Sequence, residues 1–470
     1  MPSPKNSGTD LCSLELSEIS ARIQKKDLSP VEITKAYLER IERLNPLVNA
    51  FITVTAEAAL EEAKAAEAEI ARGAWRGPLH GVPLAVKDLV ETARIPTTAA
   101  SAVLKNYVPT EDAEIVKRLK AVGAVLLGKL NLHEFAYGGS GIIGHFGAAH
   151  NPWNTAHITG GSSSGSAAAV AAGLCAGAIG TDTAGSIRLP AACCGITGLK
   201  PTYGLVSARG IIPLSWSMDH VGPMTRTAAD AALLLQAIAS YDAQDIGSRK
   251  FPPVYYPSAL EEKTSSLRLG VPADFWRDLD SEVEHHAKQA LSAVSKITAG
   301  TKEVDMPVET DFTVVRCEPF VYHQRYLPAH EADYQPETLR RIRAGADVTA
   351  AQYVEKHRDL LRLRRGSLRF FEEVDLIVTP SCPVLPPSFK ELEAAPKDLR
   401  SKELMMLRNT RPFNVFGLPA ISVPCGFSKS GLPIGLQITG APGAEGVVLS
   451  LAHAYQRETD WHKKRPKVGN

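Results

Sequence analysis

A serine in the first half of the chain has the surroundings of a nucleophile that attacks a carbonyl carbon. Ser186 follows Ala184 and Gly185 in TDTAGSIRLP, between a short apolar stretch and a helical pattern. On a sharp strand-to-helix turn, a serine hydroxyl lies beside main-chain N–H groups that can each stabilise an oxyanion by about 3–4 kcal/mol. Such a serine needs a base to take up its proton.

Lys87 and Ser162 are the candidates for that proton transfer. Lys87 ends the apolar run GVPLAVK, and burial lowers the pKa of a lysine toward the value that a general base needs. Ser162 lies in the segment TGGSSSGS, directly before an Ala-rich helical pattern. Because a hydroxyl donates and accepts at once, Ser162 would pass the Ser186 proton to Lys87 and later protonate a leaving amine.

Taken singly, these residues also have structural explanations. Ser162 and its neighbours are typical of a helix N-cap, and Lys87 beside Asp88 fits a surface ion pair. The Gly/Ser loop could also cradle a phosphate, but it lacks the GK[ST] of nucleotide-binding loops. The GxSxG pattern is absent around Ser186. The combination of the three residues favours catalysis.

Composition excludes several other classes of function. The 470 residues are 44% hydrophobic with a net charge of +1, which is typical of a globular protein and argues against nucleic acid as the main partner. The N-terminus lacks the apolar core of a signal peptide, and no apolar run is long enough for a membrane span. The seven cysteines show no metal-type spacing. We expect a cytoplasmic protein without a membrane partner, metal or cofactor.

Alternating strand and helix patterns must position these residues. Strands are predicted over 81–88, 124–128, 175–180, 267–271, 375–380, 419–426 and 434–440. Helices are predicted after the Ser29 capping box, over 55–72, 111–122 and 167–173, from 186, after Thr227 and over 349–373. This order is typical of an α/β fold.

The segment GGSSSGSAAAVAAGLCAGAIGTDTAGSIRLPAACCGITGLKPTYGLVS resembles the signature of the amidase signature family. The similarity extends to GVPLAVKD, SMDHVGPMTRTAADAALLL and FNVFGLPAISVPCGF, and is weakest between about 241 and 400. It implies an α/β amidase signature fold, a large mixed β-sheet sandwiched between layers of α-helices. A single domain would span 1–470, with N-terminal helices over 13–72, a signature core over about 80–240, a variable pocket region over about 241–400 and C-terminal strands and a helix over 401–470.

The resemblance also implies roles for individual residues. Ser186 would be the nucleophile, Ser162 the bridging serine after a cis peptide bond, and Lys87 the base. The oxyanion hole would consist of the main-chain N–H groups of Thr183, Ala184, Gly185 and Ser186, and the supporting residues would be Ser163, Asp182 and Arg188. In some members such an arginine meets an acidic substrate, but a buried salt bridge is the favoured role for Arg188.

The motifs indicate the substrate less directly than they indicate the catalytic residues. The family cleaves amides, ureas, some carbamates and esters, and one class is the glutaminase subunit of a tRNA-dependent amidotransferase. That class has an acidic residue shortly before its PVNLAG-like strand, whereas Leu407 and Arg408 stand there in this chain. An apolar substrate pocket is predicted from Tyr137, Gly138, Leu407 and Phe413.

We therefore favour a standalone hydrolase of a fairly hydrophobic amide, with carbamate (urethane), aryl acylamide or ester hydrolysis also open. Its partners would be a small-molecule substrate and no nucleic acid, and it would be a monomer or homodimer. The alternatives are the glutaminase subunit of the tRNA-dependent amidotransferase complex and an inactive amidase-like scaffold.

Overall fold

The structure, a computed structural model, describes residues 10–308 and 310–469 of the chain. Eleven strands occur in these residues: β1 Phe51–Val54, β2 Pro83–Lys87, β3 Val125–Leu130, β4 Gly177–Asp182, β5 Thr197–Lys200, β6 His220–Thr225, β7 Leu269–Pro272, β8 Thr301–Val304, β9 Leu376–Pro380, β10 Ala420–Phe427 and β11 Pro433–Gly440. They form one sheet in the order β1-β3-β2-β4-β6-β5-β10-β11-β9-β7-β8. Parallel and antiparallel neighbours both occur, so the sheet is mixed.

The described residues also contain seventeen α-helices. They are α1 Leu16–Gln24, α2 Pro30–Val48, α3 Ala56–Ala71, α4 Glu114–Ala121, α5 Ser164–Ala171, α6 Arg188–Cys194, α7 Ala228–Ile238, α8 Tyr256–Ala259, α9 Ser281–Lys296, α10 Thr313–His323, α11 Leu327–His330, α12 Pro336–Arg343, α13 Ala350–Arg365, α14 Phe389–Ala394, α15 Leu399–Met406, α16 Arg411–Val415 and α17 Glu445–Glu458. The predicted α/β class and the large mixed sheet between helical layers are confirmed.

Several predicted elements need correction. The strand patterns missed β1, β5, β6 and β8, because these strands are short or interrupted by residues that strands disfavour, such as Gly222 and Pro223 inside β6. The helix predicted over 349–373 is shorter, since α13 ends at Arg365 and a 3₁₀ segment follows over Gly366–Phe371.

The centre of the sheet brings the candidate residues to one edge. β2 and β4 are parallel neighbours, with Leu84 opposite Gly177 and Val86 opposite Ile179. Every residue of both strands is buried. Because parallel neighbours end at the same edge of a sheet, Lys87 at the end of β2 lies beside the turn that follows β4.

The Ala-rich run after the Gly/Ser loop is explained by close packing. All eight residues of α5 are buried. A Cβ atom at Gly165 would lie 2.4 Å from Ala50 O and 2.5 Å from Asn131 N, both of them main-chain atoms. The first turn of α5 therefore approaches neighbouring backbone so closely that only glycine fits at this position.

We predict that Gly165→Ala destabilises the protein by about 1–3 kcal/mol, because the added methyl group overlaps main-chain atoms that cannot move away alone. Gly366→Ala is the matched control, since a Cβ atom there meets nothing within 4 Å. Chemical denaturation of both variants measures the difference. An equal free energy of unfolding for the two variants would contradict this account of α5.

Candidate active site

The Lys87 amine at the end of β2 contacts three hydroxyl groups. Its Nζ lies 2.7 Å from Ser162 Oγ, 3.0 Å from Ser163 Oγ and 2.9 Å from Thr181 Oγ1. The side chain is fully buried. Burial disfavours the ammonium form and lowers the pKa of Lys87 to about 7, while the carboxylates of Asp219 and Asp182 act in the opposite direction. An amine with this pKa can take up a proton near neutral pH.

The loop that carries Ser162 is fixed by main-chain hydrogen bonds on both sides. The Gly161–Ser162 peptide bond is cis, as the family resemblance implies. Gly161 N donates to Gly139 O at 2.9 Å, and Ser163 N donates to Ser186 O at 3.3 Å. The second of these bonds joins the loop of the predicted bridging serine to the loop of the predicted nucleophile.

Ser163 links the Lys87 amine to β4. Its hydroxyl donates to Thr181 O at 3.0 Å and accepts from Thr181 N at 3.2 Å and from Lys87 Nζ. A hydroxyl has one donor and two acceptor positions, so the hydrogen-bonding capacity of Ser163 is filled. Its role in this arrangement is to hold Lys87 against the sheet.

Gly185 departs from its predicted role in the oxyanion hole. Its N–H donates to Asp182 Oδ1 at 2.7 Å and is therefore already engaged. With φ at +137°, the residue has a backbone conformation that favours glycine, and this conformation directs its N–H to the carboxylate. The remaining candidate donors are the N–H groups of Thr183, Ala184 and Ser186.

Arg188 holds the nucleophile loop, which is the turn after β4 that carries the predicted nucleophile Ser186, through Asp182. Its Nε and Nη2 donate to the two oxygens of the Asp182 carboxylate, both at 3.0 Å. The other three N–H groups are taken by Thr410 O, Gln437 Oε1 and Asn414 Oδ1. Burial favours the neutral acid, but the guanidinium outweighs it and holds the pKa of Asp182 well below its usual range. All five donors of Arg188 are used internally, so the residue is a buried clamp and offers no donor to a substrate.

Two further contacts at the nucleophile loop were not predicted from sequence. Thr183 Oγ1 donates to Asp219 Oδ1 at 2.6 Å, and Thr410 Oγ1 donates to Ala184 O at 2.7 Å. Burial raises the pKa of Asp219 to about 6, despite hydrogen bonds from Thr183 and from two main-chain N–H groups. Asp219 lies in the motif SMDHVGP, which was the one signal that could have identified it.

The predicted apolar pocket is only partly assembled. Leu407 is buried, and its side chain lies next to Gly139 and Gly185, so it borders the nucleophile loop. Gly138 packs on the His133 ring, and Tyr137 Oη donates to Val315 O at 3.2 Å. Phe413 is fully buried, and its ring packs on Phe275 at 5.5 Å in a different hydrophobic cluster from that of Leu407.

A cavity of about 690 Å³ opens next to the site. It shares Asp219 with the site, and its walls include the aromatic side chains of Trp216 and Tyr353 and the charged side chains of Glu318 and Arg364. Both charged groups are engaged by the protein: Glu318 accepts from Ser217 and Tyr353, and Arg364 donates to main-chain carbonyls.

The described part of the chain contains no helix that is both long and apolar enough to cross a membrane. Over the same residues, no group of three or more His, Cys, Asp or Glu side chains is arranged to hold a metal ion.

We predict that the reactivity of Ser186 toward a fluorophosphonate probe rises with pH and levels off above about pH 7. Below the Lys87 pKa of about 7 the amine is protonated and cannot take up a proton, so the labelling rate should fall about tenfold per pH unit. The rate is measured by mass spectrometry on the intact protein. In Lys87→Met this dependence should disappear together with most of the labelling, whereas the exposed control Lys117→Met should keep both. A pH-independent rate in the unmodified protein would refute a base with this pKa.

The Asp219 carboxylate gives a second test of the same site. Because its negative charge raises the pKa of Lys87, Asp219→Asn should move the rise in labelling to lower pH by up to about one unit. Asp245→Asn is the matched control, since Asp245 lies on the same cavity wall and its carboxylate binds main-chain N–H groups. A shift to higher pH in Asp219→Asn, or an equal shift in both variants, would contradict the assigned electrostatics.

Solved structures with a similar fold include a hydrolase, an amidase and a subunit of an amidotransferase. The 6-aminohexanoate cyclic dimer hydrolase superposes with a TM-score of 0.89 at 30% identity, covering 98% of this chain and 100% of the other. The peptide amidase from Stenotrophomonas maltophilia gives a TM-score of 0.82 at 30% identity, with full coverage of both chains. The A subunit of glutamyl-tRNA(Gln) amidotransferase from Thermotoga maritima gives 0.78 at 32% identity, covering 98% of this chain and 99% of the other.

The sequence relatives correct the predicted function. The A subunit of glutamyl-tRNA(Gln) amidotransferase from Geotalea daltonii is 40% identical over 97% of this chain and 99% of its own length. The same subunit from Methylococcus capsulatus is 40% identical over 96% of this chain and 98% of its own length. These relatives are subunits of an enzyme that is named for a tRNA substrate. The prediction of a standalone hydrolase with only a small-molecule partner and no nucleic acid, as a monomer or homodimer, is therefore wrong, and the alternative of an amidotransferase subunit fits better.

The prediction that Leu407 argues against an amidotransferase subunit was wrong, because it gave one side chain more weight than the similarity of the rest of the chain. Similarity to the amidotransferase relatives extends over nearly the whole length, including the region from 241 to 400 that the family motifs match least. The family profile described as Amidase matches residues 32–449. This chain belongs to the amidase family, as its signature segment indicated.

Proposed function

We propose that this chain is the amide-hydrolysing subunit of a multi-subunit glutamyl-tRNA(Gln) amidotransferase and releases ammonia from glutamine. The observation that carries the proposal is the buried contact of Lys87 with Ser162 at 2.7 Å, in a chain about 40% identical to the amidotransferase relatives along nearly its whole length. The contact supports Lys87 as the base that amide hydrolysis needs, and the similarity supports this class of reaction and the expectation of partner proteins and tRNA.

In the proposed first step, Ser186 Oγ attacks the carboxamide carbon of glutamine. Its proton passes to Ser162 Oγ while the Ser162 proton passes to Lys87 Nζ. The oxyanion accepts hydrogen bonds from the main-chain N–H groups of Thr183, Ala184 and Ser186, each contributing about 3–4 kcal/mol. This step requires Lys87 to be uncharged, which its burial favours.

In the second step the C–N bond breaks and the amine takes the proton of Ser162, which recovers one from Lys87. Ammonia leaves, and a glutamyl ester remains on Ser186. Water then attacks this ester and gives up its proton through the same relay, which releases glutamate and restores the Ser186 hydroxyl. The ammonia would be consumed by the partner subunits on the tRNA-bound glutamyl group.

Leu407 bears on how glutamine is bound. Its side chain borders the nucleophile loop at the place where an acidic residue was expected for this class. An apolar side chain offers no counter-charge to the ammonium group of glutamine. We therefore expect the isolated chain to bind free glutamine weakly and to hydrolyse it faster when the partner subunits are present.

The test is the release of ammonia and glutamate from glutamine, measured for the chain alone and with its partner subunits and glutamyl-tRNA(Gln). Ser186→Ala should lower the rate by a factor of about 10⁴ or more, because the acyl-enzyme cannot form. Ser166→Ala is the matched control, a buried serine near the loop whose hydroxyl donates to Ile179 O. Full activity in Ser186→Ala would show that Ser186 is not the nucleophile.

The same chemistry on Ser186 would also cleave a carbamate or an aryl amide, so urethanes and anilides belong in the substrate panel. If one of them is turned over in preference to glutamine even with the partner subunits present, the glutamine assignment is overturned while the role of Ser186 stands.

A further inference from the structure

Residues 137–141 form a loop that lies against the segment carrying Ser162, and we call it the supporting loop. Gly139 O in this loop accepts the N–H of Gly161 at 2.9 Å. A Cβ atom at Gly161 would lie only 2.8 Å from Gly141 N. The two stretches of backbone are therefore in direct contact, and a displacement of the supporting loop would also displace the residue directly before Ser162.

A buried carboxylate holds the supporting loop from its other side. Glu403 in α15 is 1% exposed, and its Oε1 accepts from Ser140 N at 3.2 Å and from Ser140 Oγ at 2.7 Å. Its Oε2 pairs with Arg341 of α12 at 2.8 Å and with Arg400 at 3.3 Å. Arg341 is also buried, and its Nη1 donates to Tyr137 O at 2.6 Å. Helices α12 and α15 therefore hold the supporting loop at two points.

The Glu403 carboxylate has no acceptor position left for a substrate. It accepts two hydrogen bonds from Ser140 and faces the guanidinium groups of Arg341 and Arg400, which fills the roughly four positions of a carboxylate. Glu403 lies one helical turn before Leu407, whose N–H donates to Glu403 O at 3.0 Å. Because its oxygens are occupied, Glu403 does not replace the acidic residue that was expected at position 407.

We propose that Glu403 is a positioning residue that acts through Ser140 and the supporting loop to keep Ser162 at hydrogen-bond distance from Lys87. Arg341 completes the arrangement, since it neutralises Glu403 and holds the first residue of the loop. The Lys87–Ser162 distance of 2.7 Å is short enough for proton transfer, and such transfer is sensitive to small displacements. The proposal rests on the proposed function for the role of Ser162 as the bridging serine, but not for the identity of the substrate.

The test is the rate at which a fluorophosphonate probe labels Ser186, followed to completion by mass spectrometry of the intact protein. In Ser140→Ala the labelling rate at saturating probe should fall about tenfold or more, because a displacement of about 1 Å can cost up to about 10²-fold. The half-saturating probe concentration should stay within about twofold, and the whole sample should be labelled in the end. A merely structural role would instead leave part of the sample unfolded and unlabelled, while the rest reacts at the rate of the unmodified chain.

Ser101→Ala is the matched control. Ser101 is buried like Ser140, and its hydroxyl donates to the buried Glu134 carboxylate at 2.6 Å. The other oxygen of that carboxylate accepts from Gln335 N at 3.0 Å, outside the supporting loop. Both variants therefore remove a buried serine–carboxylate hydrogen bond, but the labelling rate of Ser101→Ala should stay within about twofold of that of the unmodified chain.

Glu403→Met tests whether Ser140 acts through Glu403, because methionine has a similar size but accepts no strong hydrogen bond. The labelling rate of its folded fraction should fall at least as far as that of Ser140→Ala. Adding Ser140→Ala to Glu403→Met should then change the rate by less than about twofold. Losses that multiply in the double variant would contradict the action of Ser140 through Glu403. Should Glu403→Met fail to fold, the comparison of Ser140→Ala with Ser101→Ala decides.

The outcomes separate this proposal from the proposed function. An unchanged labelling rate in Ser140→Ala, or equal losses in Ser140→Ala and Ser101→Ala, would overturn the positioning role and leave Ser186 as the nucleophile. If the expected pattern holds but glutamine is not hydrolysed with or without the partner subunits, the positioning role stands and the proposed function falls. If the unmodified chain is not labelled at Ser186, both fall.

Discussion

The site depends on keeping an amine in a place that water does not reach. Lys87 has three hydroxyl partners and no exposed surface, so its ammonium form loses hydration that neutral partners only partly replace. Burial of a charged group is usually destabilising, but here it gives Lys87 a pKa of about 7. The close packing of α5, the filled hydrogen bonds of Ser163 and the parallel pairing of β2 with β4 all serve to maintain that environment.

A second constraint is the buried ion pair between Asp182 and Arg188. A buried charge is tolerated only when it is paired and fully hydrogen-bonded, and all five guanidinium N–H groups of Arg188 have acceptors. Through Asp182 this pair also engages the N–H of Gly185 and fixes the turn that presents Ser186. The clamp joins the nucleophile loop to β11 and to α16, which lie far along the chain, and so makes the loop geometry a property of the whole fold.

The contacts around Lys87 do not by themselves indicate which substrate is bound. The proposed relay of Lys87 and Ser162 would act on any carbonyl group that reaches Ser186, so the contact between these two residues does not select a substrate. Leu407 at the edge of the site is buried and apolar, and its side chain lies beside Gly139 and Gly185. The residues around Ser186 and those at the border of the site therefore bear on different properties, the first on reactivity and the second on binding.

The sequence by itself determined the family, the α/β class and the candidate residues of the relay, because each depends on local composition and on motifs that are continuous along the chain. It could not determine that the Gly185 N–H is engaged by Asp182, that Asp219 braces Thr183, or that Phe413 belongs to a separate cluster with Phe275. The sequence patterns also did not predict short strands such as β5 and β6, because their pairing depends on neighbouring strands more than on their own residues. Contacts between segments more than two hundred residues apart, such as Arg188 with Gln437, arise from the strand order, and only the tertiary structure decides that order.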